Sequence, residues 1–276
     1  MKTISSETEK AYTNLKNYLS SLGSAAIAYS GGVDSTLLLY AASKITDLKL
    51  KAYTVRNAMI PEDEITDAVA IGKNFGIEHH LIDIDILSFE KIASNTPERC
   101  YHCKTVILKE IIGSASGHGI SVILEGTHSG DMNDYRPGLK AIKELGVISP
   151  LRDAGFDKSK IYELSDHLNL PTSGKESYPC LATRIPYGTY IKIEDLKKAE
   201  LAEKIIADFG FRQIRARIHG DVLRIEIAEK MISEITAEPV RKQIYSALWD
   251  AGFTYITLDL QGYRTGSMNL NLEERK

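Results

Sequence analysis

The chain has 276 residues, 34 basic and 37 acidic, for a formal net charge of −3, and 43% of them are hydrophobic. Near-balanced charge argues against a broad non-specific nucleic-acid face, and no run of about 20 apolar residues marks a membrane span. The polar first ten residues lack a signal-peptide pattern. Three cysteines, Cys100, Cys103 and Cys180, are too few and odd in number for a disulfide framework, so the expected setting is soluble and cytoplasmic.

Residues 6–22 place Ala11, Leu15, Tyr18, Leu19 and Leu22 at helical spacing, and Gly23 closes the pattern. The apolar run at 25–29 reads as a buried strand. It turns through Ser30, Gly31 and Gly32 into a helix bearing Leu37, Leu38 and Leu39. Such a turn aims backbone N–H groups and the positive end of a helix dipole at the gap. Adjacent glycines permit close approach, and Ser30, Ser35 and Thr36 add hydroxyls. Chemically this is a phosphate cradle, without the Gly-Lys-Ser/Thr ending of a Walker loop.

A second strand is expected at 49–56. Pro61 and the acids after it open a helix bearing Ile65, Ala68, Val69, Gly72 and Phe75 on one face. A third strand is expected at 78–85, with His79 and His80 pointing to opposite faces. A helix follows Cys103, and a fourth strand spans 120–125 and ends at Gly126. Strands alternating with helices give a parallel sheet covered on both faces, which binds ligands at the carboxyl ends of its strands. The polar loop 126–138, with Asp131, Asp134 and Arg136, falls at that end. A helix at 157–169 starts on Asp157, and 173–188 is irregular. The expected division is an α/β domain over 1–188 and a small α+β domain over 189–276. The second has a helix at 194–209, a hairpin of 212–218 and 222–227 turning at 219–221, helices near 229–235 and 239–251, and a strand at 253–260.

Cys100 and Cys103 stand at the start of a helix beside Arg99 and Lys104, a setting that favours thiolates. Cys180 follows a proline in the irregular loop. Three thiolates leave two chemistries open: zinc completed by His102 or another histidine, or a 4Fe-4S cluster with one iron open to an external ligand.

The order Ser-Gly-Gly-Val-Asp-Ser at 30–35 resembles the PP-loop of ATP pyrophosphatases. Those enzymes grip the β,γ-diphosphate, leave AMP on an acid or carbonyl oxygen and release pyrophosphate. Further segments narrow the resemblance: Asn-Asp-Tyr-Arg-Pro-Gly at 133–138, Ser-Pro-Leu at 149–151, Arg-Ile-Pro-Tyr-Gly-Thr at 184–189, Arg-Ala-Arg-Ile-His at 215–219 and Thr-Leu-Asp-Leu-Gln-Gly-Tyr-Arg-Thr-Gly at 257–266. Together they resemble the LarE family, sulfur transferases of nickel-pincer nucleotide synthesis.

The resemblance implies a HUP-like PP-loop domain that uses ATP and Mg²⁺. Ser30, Gly31, Gly32, Ser35 and Thr36 would cradle phosphates, Asp34 would hold Mg²⁺, and Val55 and Gly126 would border the nucleotide. Arg136, Glu203, Arg215, Arg217 and Glu226 would bind a mononucleotide, pyridinium-3,5-biscarboxylic acid mononucleotide, whose carboxylate is adenylated and then thiolated. Some members sacrifice the sulfur of one cysteine, a role open to Cys180. Others hold a 4Fe-4S cluster on three cysteines, here Cys100, Cys103 and Cys180. A homo-oligomer and a sulfide or sulfur-donor system are further implications, with neither nucleic acid nor membrane as partner. Competing readings are a cluster-dependent PP-loop tRNA thiolase, an amide-forming ligase needing an ammonia source, and a zinc-stabilised nucleotide-binding module.

Overall fold

The computed structural model describes residues 3–133, 137–175 and 178–264. In chain order the elements are α1 (Ser6–Ser20), β1 (Ser24–Ala28), α2 (Val33–Ser43), β2 (Lys49–Arg56), α3 (Glu62–Asn74), β3 (Glu78–Asp83), α4 (Glu90–Ala93), α5 (Arg99–Gly117), β4 (Ile123–Leu124), α6 (Gly138–Glu144), α7 (Pro150–Asp153), α8 (Lys158–His167), α9 (Ile193–Asp208), β5 (Arg215–His219), β6 (Val222–Glu226), α10 (Ile232–Thr236), α11 (Val240–Asp250) and β7 (Tyr255–Leu258). They fall into two compact units, Met1–Asp85 with Cys100–Tyr178, and Ile86–Arg99 with Pro179–Lys276. Composition alone draws its boundary after 188. The packing instead groups 86–99 with the later residues, because Gly188 N–H donates to the Asn95 carbonyl at 3.0 Å and Ile191 N–H to that of Ala93 at 2.7 Å.

The first unit is built on a wholly parallel sheet of order β3-β2-β1-β4. Alternation along β1 separates two apolar layers. Ala25 and Ile27 join a layer with Leu15 and Leu19 of α1, Leu37 and Leu38 of α2, and Leu164 of α8. Ala26 joins another with Tyr53 of β2 and Leu108 and Ile111 of α5. α1 begins where the Ser5 hydroxyl caps Thr8 N–H, and α8 where the Asp157 carboxylate caps Lys160 N–H. β4 is shorter than the run 120–125 suggests. Its ladder to β1 holds only Ala26 opposite Ile123 and Ile27 opposite Leu124. On its other side Ile148 closes a single bridge to Leu124.

The second unit carries a sheet of order β5-β6-β7. β5 and β6 form the expected hairpin, turning at Gly220 with φ 62°. β7 then returns parallel to β6, a crossover that requires the intervening helices α10 and α11. α9 buries Leu196, Ala199, Ala202 and Ile206.

Candidate active site

In the first unit, the carboxyl end of β1 builds the cradle. Gly31 has φ +75°, a conformation costly for any residue with a Cβ. A Cβ there would also meet Ala68 Cβ of α3 at 3.0 Å. Gly32 ends the turn as the residue before α2 and provides no side-chain cap. The opening N–H groups of α2 are therefore left for a ligand. The hydroxyls of Ser30 and Ser35 lie 3.1 Å apart, and Ser35 also donates to the Gly32 carbonyl. Thr36 has a different position from the one its sequence suggests. It is fully buried, its N–H is used by Gly32 and its hydroxyl pairs with Tyr29 Oη at 3.1 Å. It braces the loop from the core side. Burial raises the Tyr29 pKa to about 12, so that phenol stays protonated and keeps its donor.

Asp34 stands in the first turn of α2, with its carboxylate partly exposed. Lys158, the first residue of α8, places Nζ 2.7 and 2.9 Å from its two oxygens. Pattern reading missed Lys158; the signal was its place directly after a capping aspartate at a helix start. An ammonium on this carboxylate shows that the position suits a cation. Asp34 therefore fits a hard, oxygen-preferring Mg²⁺ bound with nucleotide phosphates.

Gly126 closes the other side. A Cβ there would sit 3.0 Å from Ser35 N and 3.2 Å from Ser35 Cα. Its position depends on Glu125, a buried carboxylate that sequence reading also missed. Glu125 accepts from Thr127 N–H at 3.0 Å, from the Thr127 hydroxyl at 2.8 Å and from the Ser149 hydroxyl. Ser149 thereby explains the Ser-Pro-Leu segment. Lys104, one residue past Cys103, lies 3.7 Å from Glu125. Val55 is buried and packs in the apolar layer of Ala26, so its side chain faces the core. In the following loop, Asp131 is buried and accepts from His128 N–H at 3.0 Å. Asp134 and Arg136 lie outside the described residues.

In the second unit Glu203, Arg217 and Glu226, all expected to bind substrate, take part in two buried ion pairs. Arg184 Nε and Nη2 reach the two oxygens of Glu203 at 2.7 and 2.9 Å. Arg217 Nε and Nη2 reach those of Glu226 at 3.1 and 2.9 Å. Glu203 also accepts Ala216 N–H at 2.9 Å, tying α9 to β5. Arg215 is buried, donates to the Ile214 carbonyl at 2.7 Å and lies 5.0 Å from the centroid of the Tyr263 ring. Gly262 permits that approach, since a Cβ there would meet the Ile227 carbonyl oxygen at 2.7 Å.

The same arginines hold the loop of Cys180. Arg184 Nη1 donates to the Pro179 carbonyl at 2.8 Å, and Arg217 Nη1 to that of Thr183. Arg184 was legible only as part of a motif; its job as a loop clamp was not. Cys100, Cys103 and Cys180 form no disulfide and are all of intermediate exposure. Cys100 and Cys103 belong to the first unit and Cys180 to the second. Spacing of i and i+3 on α5 puts the first two on one helix face, and three cysteine sulfurs are a donor type suited to an iron–sulfur centre. Among the described residues no group of three or more His, Cys, Asp or Glu side chains stands assembled to hold a metal ion. Among them, too, no helix is long and apolar enough to cross a membrane.

A family model described as asparagine synthase matches residues 15–125, the span that holds the parallel sheet and cradle. An uncharacterised protein of Synechocystis is 33% identical over 95% of this chain and 97% of its own length. The pyridinium-3,5-bisthiocarboxylic acid mononucleotide synthase of Lactiplantibacillus plantarum is 33% identical over 88% of both chains. An uncharacterised protein of Methanocaldococcus jannaschii is 34% identical over 87% of this chain and 90% of its own.

Proposed function

The chain belongs to the LarE family of PP-loop sulfur transferases, and from that premise we propose that it converts a carboxylate of pyridinium-3,5-biscarboxylic acid mononucleotide into a thiocarboxylate at the expense of ATP. The observation that carries this reading is the phosphate cradle at 30–35 with the Asp34–Lys158 pair beside it.

A carboxylate is a poor electrophile because its charge is delocalised. In the first step its oxygen attacks the α-phosphorus of ATP, the bond to the β,γ-diphosphate breaks and pyrophosphate departs. The N–H groups opening α2, with Ser30 and Ser35, hold the diphosphate in place. Asp34 would hold Mg²⁺, which would supply positive charge to the departing group. Lys158, beside Asp34, would offer its ammonium to the departing diphosphate. In the second step a sulfur nucleophile adds to the acyl carbon, the acyl–oxygen bond breaks and AMP leaves. Arg215 and Arg217 bind the phosphate of the mononucleotide, with Arg136 from the loop 126–138. Glu203 and Glu226 set the geometry of that site through their arginine partners.

We assign the sulfur chemistry to Cys100, Cys103 and Cys180, which would hold a 4Fe-4S cluster; when bound, it supplies an open iron able to carry sulfide. Sulfide or a donor system replenishes the sulfur, and the enzyme works as a cytoplasmic homo-oligomer on a small molecule.

The test is iron and acid-labile sulfide content of anaerobically purified protein, with Cys100→Ala, Cys103→Ala and Cys180→Ala beside it. About four irons per chain, lost in each variant, supports the cluster. No iron, with loss of one sulfur mass per turnover confined to Cys180, makes that cysteine the sacrificial donor. Zinc in place of iron returns the cysteines to a structural role, and tight, salt-sensitive tRNA binding moves the substrate to tRNA.

A further inference from the structure

We propose that Lys104 is a catalytic residue of the adenylation step, its ammonium binding a non-bridging oxygen of the α-phosphate of ATP while the acyl adenylate forms. This deepens the adenylating function proposed above and rests on it.

Helical spacing puts Lys104 on the same face of α5 as Leu108, Ile111 and Ala115, and those three are buried in the apolar layer against the sheet. Lys104 is the member of that stripe nearest the start of the helix, where its ammonium meets the carboxyl end of β4. There it lies 3.7 Å from Glu125, a carboxylate 3% exposed. A buried carboxylate needs a counter-charge, yet this distance is too long for a hydrogen bond. Neutral donors already occupy the Glu125 oxygens: Thr127 N–H, the Thr127 hydroxyl and the Ser149 hydroxyl. Glu125 thus holds the ammonium by charge and leaves its N–H donors unspent. Among the described residues nothing accepts a hydrogen bond from Lys104 Nζ.

The cradle is close by. Glu125 directly precedes Gly126, about 3.8 Å away from Cα to Cα, and a Cβ on Gly126 would lie 3.0 Å from Ser35 N. Ser35 N–H is one of the donors left open at the start of α2. α5 packs on the sheet face of Ala26 and α8 on the face of Ile27, so Lys104 and Lys158 approach the strand ends from opposite faces. Lys158, paired with Asp34, is on the side of the diphosphate, and Lys104 is left for the reacting end. There the carboxylate and the α-phosphate are both anions, and an ammonium between them offsets their repulsion. As the carboxylate oxygen bonds to the α-phosphorus, the bond to the bridging oxygen breaks and its electron pair leaves with pyrophosphate. Lys104 keeps its proton throughout and acts by charge and hydrogen bonding alone.

The experiment measures exchange of labelled pyrophosphate into ATP by anaerobically purified protein supplied with the biscarboxylic acid mononucleotide. It is repeated with the Rp and Sp forms of ATP that carry sulfur on the α-phosphate, each replacing one non-bridging oxygen. Lys104→Met is expected to lower kcat about 100-fold with a smaller change in KM for ATP, and to shrink the rate ratio between the two sulfur forms at least about tenfold. A loss of stability alone would not move that ratio. Wild-type kcat in Lys104→Met overturns the proposal, and so does a lower kcat with the ratio unchanged. If Lys104→Met does not fold, Lys104→Met combined with Glu125→Gln removes both charges and is compared with Glu125→Gln alone. A further tenfold or greater loss of kcat, with the ratio lost, supports the proposal, and equal kcat in the two overturns it. Wild type that shows no exchange with the mononucleotide overturns the adenylating function itself and the role of Lys104 with it.

Discussion

Lys158 and Asp34, 124 residues apart, meet through both carboxylate oxygens at 2.7 and 2.9 Å beside the turn that opens α2. In the function proposed for the chain, the ammonium occupies ground that a divalent cation would use when nucleotide is bound. Lys158→Met removes that charge, which also lies 5.2 Å from the centroid of the Tyr162 ring, and keeps an unbranched apolar side chain. A charge-assisted hydrogen bond to phosphate is worth about 1.5–3 kcal/mol. We expect kcat/KM for MgATP to fall about 10–100-fold in pyrophosphate exchange. An unchanged value would place Lys158 outside the nucleotide site.

Gly31 and Gly126 border the cradle for different reasons. Alanine at 31 faces a positive φ as well as Ala68 Cβ at 3.0 Å, whereas alanine at 126 presses on the backbone of Ser35 at 3.0 Å. Neither obstacle is a flexible side-chain tip. Each substitution should cost about 1–3 kcal/mol in urea unfolding and weaken ATP binding measured by calorimetry. Gly113→Ala, where a Cβ meets nothing within 4 Å, is the control and should bind ATP normally.

Arg184 and Glu203 form a bidentate pair with side chains 0% and 6% exposed. Removing one partner leaves a charge buried without compensation, at about 3–5 kcal/mol. Arg184→Met and Glu203→Gln should each lower the denaturation midpoint by a corresponding amount, and the double variant by less than the sum of the two. Strict additivity would mean that the pair is not coupled.

His79 makes stability depend on mild acid. The Thr54 hydroxyl donates to the Tyr29 carbonyl at 2.7 Å, so His79 Nε2–H must donate to Thr54 Oγ1 at 2.8 Å. Nδ1 is then a bare lone pair, buried without a hydrogen-bond partner. Burial first, and the neighbouring His80 second, hold the His79 pKa below its usual value of 6.5. The unfolded chain takes up the proton more readily, so this contribution is complete above pH 6.5 and is lost as pH falls below it. Melting temperature should drop through that range, and His79→Gln should flatten the drop. Gly72→Ala should destabilise at every pH, because its Cβ would lie 2.8 Å from Nδ1.

What the sequence by itself determined is the local grammar. The strand, Ser30-Gly31-Gly32 turn and helix could be read in order because each is encoded within a few residues, as were the hairpin at 219–221 and the Asp157 cap. Alternation of strands and helices was enough for a parallel sheet and for which strand ends carry ligands. Tertiary structure alone decided the rest. Lys158 reaches Asp34 only when α8 packs against α2, and a lone lysine in a sequence has no pattern to announce it. Thr36 reads as one more hydroxyl of the loop, yet helix periodicity turns it into the core against Tyr29. Glu203, Arg217 and Glu226 read as substrate contacts, and Arg184 only as part of a motif. Burial converted them into paired groups, since an arginine removed from water must satisfy its donors within the fold. The segment 86–99 likewise reads as part of the first domain, and the hydrogen bonds of Asn95 and Arg99 join it to the Cys180 loop.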